Sequence, residues 1–303
     1  SVDRYDITAS PRSALARTNA AIVVPEDLAR IAALGEKAGP VALDQRIAGI
    51  EQERLGLEPK ERLSAMLRAY DSEVAPEAFS DECARIDTSV LKEIYMASVH
   101  IARYTANEEW LARVRCLHSA LKAKHMGTKK GDGALRDILI ATRHFEEADA
   151  LASHLMPFKR TLPRILGKKM SQQGVLVPVS NGNLQWTQWE SRQGWQLVAM
   201  VHPLCGFSRR ASAAIANQKR WDDLRSRLRM VVQREAGWYG DAAVREWNLL
   251  HPELPIVFQA GAQGWGPFDA YETPVFHILH DGKLVRSISG WKDDGRLLHE
   301  AWG

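Results

Sequence analysis

Three cysteines in 303 residues, Cys83, Cys116 and Cys205, are too few for a disulfide framework to carry the fold. They fit a reduced protein in which Cys83 and Cys116 are small buried residues. They equally fit an exported protein with one Cys83–Cys116 bridge and a free Cys205. The chain also lacks any run of about 18 apolar residues, so no membrane-spanning helix is expected. It lacks charge of one sign. Forty basic residues against 37 acidic leave a net charge of +3, and the two kinds are interleaved. A nucleic-acid partner, which needs a concentrated basic face, is not expected. No glycine loop with a phosphate-binding lysine occurs, no His-Glu-x-x-His and no Gly-x-Ser-x-Gly. The chain opens at Ser1 without a recognisable signal peptide. That fits a product trimmed of an export signal, with a periplasmic site as the expectation and the cytoplasm as the alternative.

What is present divides in two. Up to about residue 170 the apolar spacing is helical. Helices are predicted from Pro25 to Gly35, Val41 to Leu55, around Leu63 to Tyr70, from an N-cap at Thr88, and after a cap at Asn107. Lys122 to Gly133 reads as a basic loop, and Ala134 to Leu155 as one further helix stopped by Pro157. The expected arrangement is antiparallel hairpins of helices about 18–22 residues long. Lys168 to Gly174 reads as a linker. The expected domains are therefore 1–172, α-helical, and 173–303, α/β. Of ten tryptophans only Trp110 precedes the boundary. Beyond it Val175–Val179 and Leu184–Trp189 are predicted strands around an Asn181-Gly182 turn.

The chemistry concentrates in one motif. The apolar run Leu197–Val201 leads into His202-Pro203-Leu204-Cys205-Gly206-Phe207-Ser208-Arg209-Arg210. A thiol between a strand and a helix meets the first-turn amides and the positive end of the helix dipole, which favour the thiolate. Arg209 and Arg210 add positive potential. Thr273-Pro274 then opens a second apolar run, Val275 to Leu279, followed by an Asp281-Gly282 hairpin signal and Leu284-Val285.

This order of strand, Cys-x-x-Ser, helix, Thr-Pro, hairpin and final helix resembles the thioredoxin-fold superfamily. The resemblance covers roughly Gln185 to Gly303. It implies an α+β, two-domain protein: a helical N-terminal domain, then a thioredoxin-like α/β domain with a central mixed sheet. It further implies a cis Thr273–Pro274 bond lying against the thiol. Locally, Cys205-Gly206-Phe207-Ser208 is similar to the monothiol glutaredoxins, whose thiol binds glutathione and can share an iron–sulfur cluster. Two departures stand beside that likeness. The Gly-Gly-x-Asp of that branch is replaced by Ser289-Gly290-Trp291-Lys292-Asp293, and the spacer from Cys205 to Pro274 is long. His202-Pro203-Leu204-Cys205 is equally similar to exported thiol oxidoreductases, with the second cysteine replaced by Ser208. The peroxidase pattern is not met, since His202 and Val198 stand where Thr or Ser and Pro are required.

The expected site is therefore Cys205 as thiolate, Ser208 as its hydrogen-bond donor, and Thr273 and Pro274 as the loop holding the incoming chain. The expected partner is a protein thiol or disulfide, or glutathione as the small-molecule thiol. The alternative is a silent thioredoxin fold used for binding in an envelope or assembly complex, with the helical domain recruiting a protein. A third reading has His202 and Cys205 handling a soft metal, but two ligands do not make a metal site and no third is evident. His277 and His280, three apart on a predicted strand, fall on opposite faces. His118, His125, His144 and His154 read as structural. Trp265 and Trp291 are expected to wall a groove over Cys205, and Asp293 and Asp294 to cap the last helix.

Overall fold

The computed structural model describes residues 41–52, 59–152, 162–169, 172–235, 237–268 and 272–303. The chain divides into two compact units, Ser1–Arg160 and Thr161–Gly303. Each is described by itself.

The first unit is helical throughout its described part. Leu43–Gln52 (α1) and Pro59–Asp71 (α2) bury Leu43, Ile47, Met66 and Tyr70. The predicted helix at 25–35, the end of the one predicted to reach Leu55, and Pro157 lie outside the described residues. Thr88–Thr105 (α3) is capped by Asp87, not Thr88. The Asp87 backbone is extended and its carboxylate takes the Ser89 N–H at 2.8 Å, which makes Thr88 the first helical residue. Asn107 caps Glu108–Ala123 (α4) as expected, accepting from the Trp110 N–H at 3.0 Å.

Of the loop expected from Lys122 to Gly133, residues 124–128 are non-helical, and the part from Lys129 on is helix. Thr128 caps Lys129–Ala141 (α5) by accepting the Gly131 N–H at 3.0 Å, and the buried Tyr95 hydroxyl donates to the Gly131 carbonyl at 2.6 Å. The single helix predicted from Ala134 to Leu155 is broken after Ala141, where Arg143 takes φ 65°, and resumes as Phe145–Ala152 (α6). Of the helices bounded by described residues on both sides, α3 has the expected length at 18 residues, while α4 and α5, at 16 and 13, are shorter. Cys83, in the turn before α3, is joined to Cys116 on α4 by a disulfide with Cα atoms 5.8 Å apart. Of the two readings of these cysteines, the bridged one is present.

The second unit is built on one mixed sheet. Its strands are Ile165–Leu166 (β1), Gly174–Pro178 (β2), Leu184–Gln188 (β3), Trp195–Val201 (β4), Leu228–Val232 (β5), Ile256–Gln259 (β6), Val275–His280 (β7) and Lys283–Ser289 (β8). They lie in the order β1-β3-β2-β6-β5-β4-β7-β8. The change of unit falls before residue 172 because β1 pairs with β3, Ile165 opposite Leu184. The Gln173 carbonyl also accepts the Trp189 N–H, so this end of the predicted linker already belongs to the sheet.

Gly206–Asn217 (α7) joins β4 to its parallel neighbour β5, with the single turn Asp222–Arg225 (α8) between them. Asp241–Leu250 (α9) joins β5 to β6, also parallel. β7 returns antiparallel to β4, β8 antiparallel to β7, and Arg296–Trp302 (α10) closes the chain. Strand, helix, parallel strand, antiparallel hairpin and terminal helix make a thioredoxin-like α/β domain. The long spacer holds α9 and then the additional strand β6, which extends the sheet to the β2–β3 hairpin.

Alternation sorts the residues of β4 and β7 between the faces of the sheet. Val198 and Met200 join Val231, Trp265, Phe268, Val275 and Leu279 in one buried cluster. His277 stands between Val275 and Leu279 on that face, buried, while His280 is exposed, as the spacing requires. The His277 Nδ1 meets the Ser287 hydroxyl at 2.8 Å, and the ring lies edge-on to Phe268 at 5.4 Å.

Burial pushes His277 from 6.5 down to about 4, against the Phe268 backbone carbonyl, which favours the charged form by accepting from the ring. The fold therefore holds a neutral imidazole that the unfolded chain would protonate near pH 6.5. Its contribution is complete above that pH and is lost as pH falls towards 4. Urea unfolding of the native chain is expected to show on the order of 2 to 3 kcal/mol lost across this window. A His277→Phe variant is expected to show a much shallower loss. Parallel pH profiles for the two chains would contradict this account.

Candidate functional site

The site forms where β4 ends. Beyond Val201 the chain turns through His202, Pro203 and Leu204, and Cys205 becomes the N-cap of α7. An N-cap side chain faces the amides of the second and third helical residues. Here those are Phe207 and Ser208, so the sulfur takes the place that a cap oxygen would occupy.

Cys205 is half-buried and is the free cysteine of the chain. As a thiol it donates to the Thr273 carbonyl at 3.4 Å. Burial alone would push its pKa up. The backbone amide of Ser208, the Thr273 side chain, the Phe207 amide and the Ser208 hydroxyl favour the thiolate and together outweigh burial, although no side-chain cap hydrogen bond is closed on the sulfur. The thiol is therefore held below its ordinary range.

Thr273 arrives from the other side of β4. Met200, one residue before the end of β4, lies opposite Val275 in the antiparallel pairing with β7, which brings the segment before β7 to the thiol. The Thr273–Pro274 bond is cis, and the Pro274 carbonyl accepts the Gly290 N–H at 2.8 Å. Of the expected site residues, Cys205, Ser208 and Thr273 come together around sulfur, and Pro274 starts the adjoining strand. Arg209 and Arg210 are exposed, and the Arg210 guanidinium lies 4.6 Å over the Phe207 ring.

His202 organises the loop. Its N–H donates to Ser208 Oγ at 3.1 Å, and its carbonyl accepts the Cys205 N–H at 3.0 Å. Nδ1 accepts the Leu204 N–H at 3.1 Å, and Nε2 lies 3.0 Å from Glu235 Oε1. Both ring nitrogens are engaged, which leaves His202 no lone pair to share with Cys205. Among the described residues no group of three side chains is arranged to hold a metal ion. Glu235 was not found from sequence. It lies 33 residues from His202, and only the parallel pairing of β4 with β5 brings the two strand ends together.

Two expectations about the surroundings are corrected. Trp265 is 0% exposed, its ring 5.0 Å from Trp189 and its indole N–H donating to the Gly174 carbonyl. Trp291 is 8% exposed and packs between Trp221 and Phe276. Both belong to the core and neither walls a groove over the thiol. Asp293 and Asp294 stand immediately before α10, as charges at its N-terminal end, without capping it by hydrogen bonds. They occupy a turn of positive φ, where Asp293 pairs with Arg296 and Asp294 with Arg220. The cap residue is Gly295.

A cavity of about 360 Å³ adjoins the thiol loop, lined by Pro203, Leu204, Ser212, Ala243, Trp247 and Leu250 among others. It lies between the first turns of α7 and the helix α9. At the start of α9, Gly240 has φ 76°, and a Cβ there would fall 2.2 Å from Pro203 Cγ. The thiol loop and α9 touch at a point that admits only hydrogen.

No protein-family model matches the chain, and no curated protein matches it. Among solved structures, a thioredoxin-like protein from Bacteroides caccae is 10% identical, over 94% of this chain and 98% of that one, with a TM-score of 0.27. The fold assignment rests on the sheet order and register given above.

Proposed function

We propose that this chain is a monothiol thiol–disulfide exchange protein acting through Cys205. The observation that carries the reading is the half-buried free sulfur at the N-cap of α7, 3.4 Å from the carbonyl that precedes the cis Thr273–Pro274 bond. In the first step the Cys205 thiolate attacks one sulfur of a disulfide. A mixed disulfide forms, the substrate bond breaks, and the other substrate sulfur leaves as thiolate. Thr273 and Pro274 line the place where the incoming chain or glutathione lies.

A second thiolate must then attack the mixed disulfide to return Cys205. Ser208 cannot supply it, and Cys83 and Cys116 are bonded to each other. Release therefore depends on an outside thiol, glutathione or a partner's cysteine. The Cys83–Cys116 bridge fits an oxidising compartment such as the periplasm.

The pH dependence of Cys205 alkylation, read site by site by mass spectrometry, tests the reading. The midpoint is expected below the ordinary thiol value of about 8.5. Incubation with glutathione disulfide is expected to leave one glutathionyl group on Cys205, stable until external thiol is added. An inert or ordinarily titrating Cys205 that takes no adduct would remove this function.

A second reading is a binding module that uses the fold without the thiol. The observation favouring it is the apolar rim: Leu204 and Phe207, on either side of Cys205, are 45% and 50% exposed. In that case partner capture survives Cys205→Ser unchanged, whereas exchange does not.

A further inference from the structure

Four hydrogen bonds converge on His202, in the loop that presents Cys205. The Leu204 N–H to His202 Nδ1 bond, 3.1 Å, spans the residues of an Asx-turn, with imidazole nitrogen in place of a side-chain carbonyl. A nitrogen that accepts carries no proton. The hydrogen-bond network therefore assigns the ring proton to Nε2, where Glu235 Oε1 takes it at 3.0 Å. Glu235 faces the imidazole from beyond the end of β5, while the guanidinium groups of Arg209 and Arg210 are exposed on α7. The ring is clamped between a backbone amide of its own loop and a carboxylate of the neighbouring strand end.

The clamp has a consequence for Ser208. A hydroxyl has one proton and two lone pairs. Ser208 is 2% exposed, and its oxygen already accepts the His202 N–H at 3.1 Å. That bond and the Cys205 N–H held by the His202 carbonyl at 3.0 Å tie both ends of the Cys205–Ser208 turn to His202, and leave the Ser208 proton free to be given to the thiolate. The register of the His202 backbone thus decides whether Ser208 acts as donor to the thiolate.

We propose that His202 and Glu235 are positioning residues of the thiol: their contact fixes the 202–205 loop, and through it directs the Ser208 hydroxyl and the first amides of α7 at Cys205 sulfur. This rests on the monothiol reading above. Neither residue touches the reacting sulfurs of a substrate.

The test uses the full chain. Cys205 ionisation is followed by the ultraviolet absorbance of the thiolate, with Cys205→Ser as blank, and by alkylation in parallel. His202→Ala is expected to raise the midpoint by half a pH unit or more, about a threefold loss of thiolate at a fixed pH below it. His202→Asn is expected to restore most of that shift, because its side-chain carbonyl accepts the Leu204 N–H. Glu235→Gln, which still accepts from Nε2, is expected to stay near the parent, and Glu235→Leu to move with His202→Ala. A merely structural role would lower the melting temperature without moving the midpoint. An unmoved midpoint in His202→Ala overturns the proposal, and so does a shift that Asn fails to restore. If His202→Ala does not fold, the Glu235→Leu and Glu235→Gln pair decides on the same criterion. The monothiol reading fails on a different result, an ordinary midpoint in the parent chain, whatever the variants do.

Discussion

Ser208→Cys is expected to shorten the life of the Cys205 mixed disulfide by about 100-fold. The position is fully packed, and a thiol differs from the hydroxyl by one heavier atom, so the first turn of α7 should tolerate it. Ser208 stands in the first turn of the helix whose N-cap is Cys205, three residues on in sequence. The new thiol would meet the mixed disulfide at an effective concentration of about 1 mM or more, against about 10 μM for an external thiol supplied in the assay. Internal attack breaks the bond to the substrate, forms an intrachain disulfide and releases the substrate thiolate. The measurement is the decay of the glutathionyl adduct by mass spectrometry, with Ser208→Ala as control for the lost hydroxyl. An adduct that persists equally in Ser208→Cys and the parent chain would show that residue 208 cannot reach the mixed disulfide. The release step proposed above would then need another explanation than the missing cysteine.

The second large effect lies in the helical unit. The Cys83–Cys116 bridge closes a stretch of 33 residues that includes the whole of α3. By loop-closure entropy, a link over that separation restrains the unfolded chain by about 3 to 4 kcal/mol. Cys83→Ala with Cys116→Ala is expected to cost that amount in the denaturant unfolding of the helical unit. Because the chain holds two compact units, the transition should be followed with a probe confined to the first, such as Trp110, which lies on α4 among buried neighbours. Cys205→Ser is the matched control and is expected to leave the transition in place. A loss below about 1 kcal/mol in the double variant would mean that the unfolded chain is already compact there.

The legibility of this chain follows from where its apolar residues stand. β2, β3, β4, β7 and β8 are apolar runs bounded by turns, and the Asn181-Gly182 and Asp281-Gly282 dipeptides take the positive φ that such hairpins need. The thiol's position was legible for the same reason, since a strand signal runs straight into a helical one at Cys205. The helix ends were less so. Gly131 and Gly133 gave the start of α5 the composition of a loop, while the Thr128 cap and the Tyr95 hydroxyl hold it as helix. Ile256–Gln259 is too short a run to announce itself, and the inserted strand appeared only with the sheet. Trp265 and Trp291 misled because both sit among glycines outside regular elements, where no periodicity reports which way an indole points. Glu235 carried no local signal at all. Its place beside His202 is a product of strand pairing.

The contact between Gly240 and Pro203 gives α9 a lever on the sulfur. Pro203 lies two residues before Cys205, and the first turn of α9 rests against its ring with no side chain between them. Whatever tilts α9, whether a guest in the neighbouring cavity or a body pressed on the exposed Leu249 and Leu250, pushes first on the residue that sets the angle of the thiol. The spacer thus does more than lengthen the chain: it sets the outer edge of the domain directly against the loop that carries Cys205.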